Sequence, residues 1–167
     1  GHTPVFVGIH PATFTTRREA AERAITPKSR AILPTPLYGM ACDLDPIRAL
    51  AKRHNLKVVE DCAHALGAQY KGRMVGTLGD ASFFSFQAFK PLNTYGGGLA
   101  WMRDASLARR VGEFADGELW PTEKRVESIL WGGNWQHTFI RPKAFPYSPF
   151  PSCYASSWVN ANPEEPR

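Results

Sequence analysis

The chain has 167 residues, 43% of them hydrophobic, which suffices for one buried core and is too short for two ordinary domains. Its formal charge of +5 comes from basic residues scattered among acids along apparent helices, so it reads as solvated faces rather than a nucleic-acid surface. Cys42, Cys62 and Cys153 are odd in number and lack any C-x-x-C spacing, which argues against a disulfide framework or a zinc site and for a reducing cytoplasm. No run of eighteen apolar residues and no basic-then-apolar leader is visible, so neither a membrane span nor a signal peptide is expected.

The stretch "TPVFVGI" carries a strand pattern from the first residues, as expected of a piece of a larger unit. "RREAAERAI" then predicts a short helix, with Thr16 as its cap and Glu19 three residues on, as in a capping box. "RAILPTPL" is extended, and "DLDPIRALAKRHN" places Ile47, Leu50 and Ala51 at helical spacing behind acidic and proline start signals. "LKVVEDCA", "DASFFSFQ" and "GGGLAWM" read as strands, "AQYKGRMV" as a small hairpin, and "DASLARRVGEF" as a helix. Strands alternating with helices predict an α/β fold, a mostly parallel sheet with helices on both faces. Periodicity decays near Asp116: "WPTEKRVESILW" fits one more helix, whereas the aromatic, proline-rich stretch from Phe139 to Trp158 cannot be a regular one. That stretch is expected to cover core rather than to dock on a membrane or partner. The division expected is therefore 1–115 and 116–167.

In an open α/β sheet, ligands bind beyond the carboxyl ends of the strands. Asp61 closes "KVVED" and Lys90 follows "SFFSFQ", so a parallel sheet puts an acid and an amine on one edge. Lysine usually sits on a solvated face, and here two alternatives stand beside that one. Lys90 and Asp61 form a structural ion pair, or a ligand lies between them. A protonated pyridine nitrogen against Asp61 and an aldehyde carbon joined to Lys90 satisfies both groups, and pyridoxal 5'-phosphate has that form. Desolvation leaves more of an amine neutral and nucleophilic. Ser85, on the same strand as Lys90, offers a hydroxyl to a phosphate.

The segments "ITPKSRAILPTPLYG", "LAKRHNLKVVEDCAHALGAQYKGRMVGTLGDASFFSF" and "FSFQAFK" together resemble the DegT/DnrJ/StrS family of pyridoxal-phosphate-dependent aminotransferases, over residues 3 to 115. The resemblance implies that residues 1–115 are part of the family's cofactor-binding large domain and 116–167 an irregular C-terminal segment. It further implies that Lys90 carries the cofactor as a Schiff base and moves the proton during transfer, and that Asp61 pairs with the pyridine nitrogen. Ala63 then packs on the ring face, His64 lies near the phenolic oxygen, and Ser85 contacts the phosphate. The implied reactants are a small amino donor and a nucleotide-linked keto-sugar, for polysaccharide or secondary-metabolite synthesis, in a homodimer when full length. Pro91 stands where the family usually has asparagine, and "YGGG" lacks the acid common in that cluster. Lys90 sets the chain apart from the family's sugar dehydratases, which carry histidine there. On its own the chain is expected to bind cofactor weakly, and the rival reading is a catalytically incompetent relative or fragment acting as a binding or assembly module. A dinucleotide-binding domain is excluded because no G-x-G-x-x-G follows the first strand.

Overall fold

The computed structural model describes residues 2–87, 90–119 and 121–139. Two compact units divide the chain, Gly1–Leu119 and Trp120–Arg167. In the first lie helices α1 (Arg18–Ala24), α2 (Leu44–Arg53) and α3 (Ala105–Asp116), with strands β1 (Ala31–Ile32), β2 (Lys57–Asp61), β3 (Gln69–Tyr70), β4 (Arg73–Met74), β5 (Ala81–Ser85) and β6 (Gly98–Met102). The described part of the second unit contains helix α4 (Glu123–Phe139). The aromatic and proline-rich stretch after Phe139 lies outside the described residues.

The main sheet has the order β1-β2-β5-β6. β2 is parallel to β1 and to β5, with Asp61 opposite Phe83, while β6 returns antiparallel to β5, Ser85 opposite Gly98. This is the α/β class with a mostly parallel sheet. The antiparallel return follows from what joins β5 to β6: the connection carries Pro91, Gly96 and Gly97, and its described residues form no helix of the kind that a parallel return needs. β3 and β4 form the separate hairpin, turning at Lys71 and Gly72.

α2 shows how local sequence makes an element and then buries it. Pro46 sits in the first turn, where a missing N–H costs no helical bond. Leu44, Ile47, Leu50 and Ala51 share one face and are buried, each large one worth roughly 1.5–3 kcal/mol relative to exposure. The helix ends in a Schellman arrangement: Asn55 adopts φ 52°, its N–H reaches Lys52 O at 3.3 Å, and Leu56 N–H reaches Ala51 O at 2.8 Å. Leu56 thereby folds back onto Ala51 and joins Val58 in the core at the start of β2. A second cluster, Cys42, Leu44, Ile47 and Leu78, and a third, Cys62, Ala65 and Val75, complete the interior.

Two expectations at the N-terminal end are corrected. "PVFVGI" is not a strand: no ladder forms along it, and Val5 and Phe6 are exposed. Extended residues need a neighbour's N–H and C=O groups to become a strand, and here the pairing is a single antiparallel bridge, Ile9 with Thr16. Thr16 is taken up in that bridge, so it does not cap α1. Arg17 occupies the cap position instead, without a side-chain hydrogen bond.

Candidate active site

β2 and β5 run in the same direction, so Asp61, the last residue of one, and Ser85, the last of the other, stand on one edge of the sheet. Cys62 N–H continues the pairing to Phe83 O at 2.9 Å. The chain then turns sharply, because Asp61 Oδ1 accepts the N–H of Ala63 at 3.1 Å in an Asx turn. That turn presents His64. Lys90 comes from the loop beyond β5, a loop closed at its base by Phe86 N–H on Gly97 O and Thr94 N–H on Phe86 O, at 3.1 and 2.9 Å.

Lys90 Nζ and His64 Nε2 meet at 2.7 Å. Around them is an open cleft of about 440 Å³ lined by Tyr38, Gly39, His64, Leu66, Lys90 and Pro91. The ring of Tyr38 stands against that of His64, centroids 6.0 Å apart and planes at 73°. Gly39 N–H donates to His64 O at 2.9 Å, which ties the loop after β1 to the loop after β2. The sequence-predicted residues are thus brought together in part: Lys90 and His64 share the cleft, while Asp61, Ala63 and Ser85 lie at the same sheet edge but outside its lining.

Among the described residues neither Asp61 nor Lys90 belongs to an ion pair, so the two are not partners of each other. Of Asp61, only Oδ1 is engaged, and the Ser85 hydroxyl makes no hydrogen bond among the described residues. A carboxylate oxygen and a hydroxyl are therefore uncommitted at this sheet edge, beside an amine whose hydrogen bond is to His64 rather than to an acid. Such a donor set fits pyridoxal phosphate, which offers an aldehyde, a ring nitrogen and a phosphate.

Glu60 is absent from the residues that the sequence singles out. It is fully buried, and its carboxylate accepts the N–H groups of Gly76 (2.9 Å), Leu78 (2.8 Å) and Gly79 (2.6 Å). The other side of the same loop is held by the Arg103 guanidinium, which donates to Thr77 O at 3.0 Å and to Gly79 O at 2.9 Å. The signal for it is present in "KVVED", where a two-residue period puts Glu60 on the face of buried Val58 and Asp61 on the other. Nearby, burial above all, then Glu60, Asp61 and Cys42, pushes the Cys62 thiol up to about 12, and burial raises Cys42 as well. Both thiols stay protonated near neutrality and are poor nucleophiles. Neither thiol lines the cleft, whereas Lys90 does.

β2 ends in an acid and the loop beyond β5 brings an amine to the same side of an α/β sheet, and comparison with known proteins gives the family. The family model of the DegT/DnrJ/EryC1/StrS aminotransferases matches residues 1–135, and the chain belongs to that family. It is 46% identical over 111 residues to the GDP-perosamine synthase of Caulobacter vibrioides, covering 66% of this chain and 30% of that protein. To a UDP-N-acetyl-3-dehydro-alpha-D-glucosamine 3-aminotransferase of Acidithiobacillus ferrooxidans it is 42% identical over 123 residues, 73% of this chain and 33% of the relative. Among solved structures, an aminotransferase from Psychrobacter cryohalolentis superposes with a TM-score of 0.67 at 42% identity, over 70% of this chain and 30% of the other. The chain spans about a third of the length of the relatives it matches.

Proposed function

We propose that the protein is a pyridoxal-phosphate-dependent aminotransferase acting on a nucleotide-linked keto-sugar, with residues 1–115 as part of its cofactor-binding large domain. The observation that carries this reading is the Lys90 amine, held at 2.7 Å by His64 in an open cleft and paired with no carboxylate among the described residues. The names of the relatives, which act on GDP- and UDP-linked sugars, supply the substrate class.

In this reading Lys90 would hold the cofactor covalently, Asp61 would face the ring nitrogen, Ala63 the ring face, His64 the phenolic oxygen and Ser85 the phosphate. Bound pyridoxal phosphate supplies an electron-withdrawing ring conjugated to the carbon that must lose a proton. Asp61, a carboxylate at the sheet edge, favours the protonated ring nitrogen. Lys90 would be the base that lifts and returns the proton, its Nζ aimed by the hydrogen bond with His64. A homodimer of the whole protein, in a reducing cytoplasm, completes the proposal.

The test is borohydride reduction of the chain incubated with pyridoxal phosphate, followed by peptide mass mapping. The label is expected on Lys90 ahead of the exposed lysines. Lys90→Ala is expected to remove it and to lower transamination by about a hundredfold or more. Uniform labelling of all lysines, unchanged by that substitution, sinks the reading.

A further inference from the structure

The cleft lining includes a tyrosine that neither the sheet edge nor the proposed chemistry accounts for. Tyr38 holds φ 54° and Gly39 after it φ 78°, two successive left-handed residues. Glycine adopts that conformation freely, whereas an aromatic residue does so under strain. Five described non-glycine residues, Phe14, Tyr38, Asn55, Lys71 and Tyr95, have positive φ, and of these Tyr38 alone lines the cleft. The turn is fastened from both ends by Met40 N–H on Leu37 O and Gly39 N–H on His64 O, each at 2.9 Å. A strained tyrosine is thus held against the histidine that touches Lys90.

The ring itself is largely unspent. It is 75% exposed although it stands against His64, and its hydroxyl has no hydrogen-bond partner among the described residues. Leu66 and Pro91 add exposed apolar surface to the lining, and His64 with Lys90 makes its polar end. A pyranose is amphipathic in the same sense, with a face of C–H groups and a rim of hydroxyls. A cleft of about 440 Å³ has room for such a ring.

Resting on the aminotransferase reading above, we propose that Tyr38 is a specificity-determining residue, its ring the wall on which the hexose of a nucleotide-linked sugar lies beside Lys90. The ring gives a stacking face to the sugar's C–H groups and its hydroxyl a hydrogen bond to the rim. The ring face brings no positive charge to the carboxylate of an amino donor, so the stacking contribution falls on the sugar.

UDP-glucose is the probe, bound to the 167-residue chain and to its Tyr38→Gly and Tyr38→Phe variants, with saturation transfer read at the hexose protons. Wild type and Tyr38→Phe are expected to saturate the hexose ring. Tyr38→Gly is expected to abolish that saturation and to weaken the dissociation constant about tenfold, the size of an aromatic stacking contribution. Because glycine suits the left-handed turn, the melting temperature of Tyr38→Gly should not fall below that of wild type, and Lys90 should still be trapped by pyridoxal phosphate and borohydride. Hexose saturation that is absent in wild type, unchanged in Tyr38→Gly, or abolished in Tyr38→Phe overturns the assignment. Trapping of Lys90 with no hexose saturation through Tyr38 refutes the wall and leaves the transaminase reading standing. Hexose saturation that depends on Tyr38, in a chain whose Lys90 is not trapped, keeps the wall and refutes the transaminase reading.

Discussion

Glu60 and Asp61 are consecutive on β2, and strand alternation sends them to opposite faces with opposite tasks. Asp61 keeps an oxygen uncommitted at the sheet edge, whereas Glu60 is wholly occupied inside, replacing water for three backbone donors of residues 76–79. An apolar residue at position 60 leaves those N–H groups buried without acceptors, and even glutamine turns one acceptor into a donor aimed at donors. Glu60→Gln is therefore expected to lower the unfolding free energy by about 1–3 kcal/mol, seen as a lower urea midpoint with an unchanged slope. A midpoint equal to wild type shows that the loop finds other acceptors. The glycines of this loop belong to the same device. A Cβ at Gly79 meets Val58 O at 2.7 Å, so the loop lies against β2 only because position 79 lacks a side chain.

Helices α2 and α3 are held by different means. α2 buries a face of four residues and closes with its own Schellman turn, so packing and backbone geometry both secure it. α3 buries no residue, and its start depends on Asp104, whose Oδ1 accepts from Ser106 N–H at 2.7 Å, Leu107 N–H at 2.9 Å and the Ser106 hydroxyl at 2.6 Å. The Ser106 hydroxyl first, then the backbone N–H groups of Leu107 and Ser106, hold the Asp104 carboxyl below the usual carboxylate range. A carboxyl depressed in the folded state stabilises fully above its unfolded pKa of about 3.9 and loses that contribution as pH falls through the lower folded value. Helical ellipticity of wild type is thus expected to drop more below about pH 4 than that of Asp104→Asn, because asparagine caps well and does not titrate. Parallel acid profiles for the two proteins rule out the cap as the source.

For the molecule as a whole, stability should follow the sheet outward from β2, and that distribution also explains what the sequence discloses. β2, β5, α2 and the Lys71-Gly72 hairpin are readable because each is set by a local signal: alternation, helical spacing with caps, or a turn pair. "PVFVGI" has the residues of a strand and lacks a partner, a property of pairing that composition does not reveal. Lys90 and Asp61 are legible from their positions at strand ends, yet the approach of Lys90 to His64 and the placing of Tyr38 depend on loops whose course is set by backbone hydrogen bonds between segments far apart in the chain. Stability follows the same logic. β2 is paired on both sides and covered by α2, with Leu50, Ala51, Leu56 and Val58 buried, whereas β6 leaves Leu99 half exposed and α3 leaves Phe114 largely in solvent. Local opening costs least where little apolar surface is newly exposed to water. Amide hydrogen exchange followed by mass spectrometry should therefore find the slowest peptides over β2, β5 and α2, and α3 exchanging about tenfold or more faster. Protection of α3 equal to that of β2 means that an apolar surface beyond its own packing on β6 covers it in solution, and the ordering from the sheet's centre outward is then wrong.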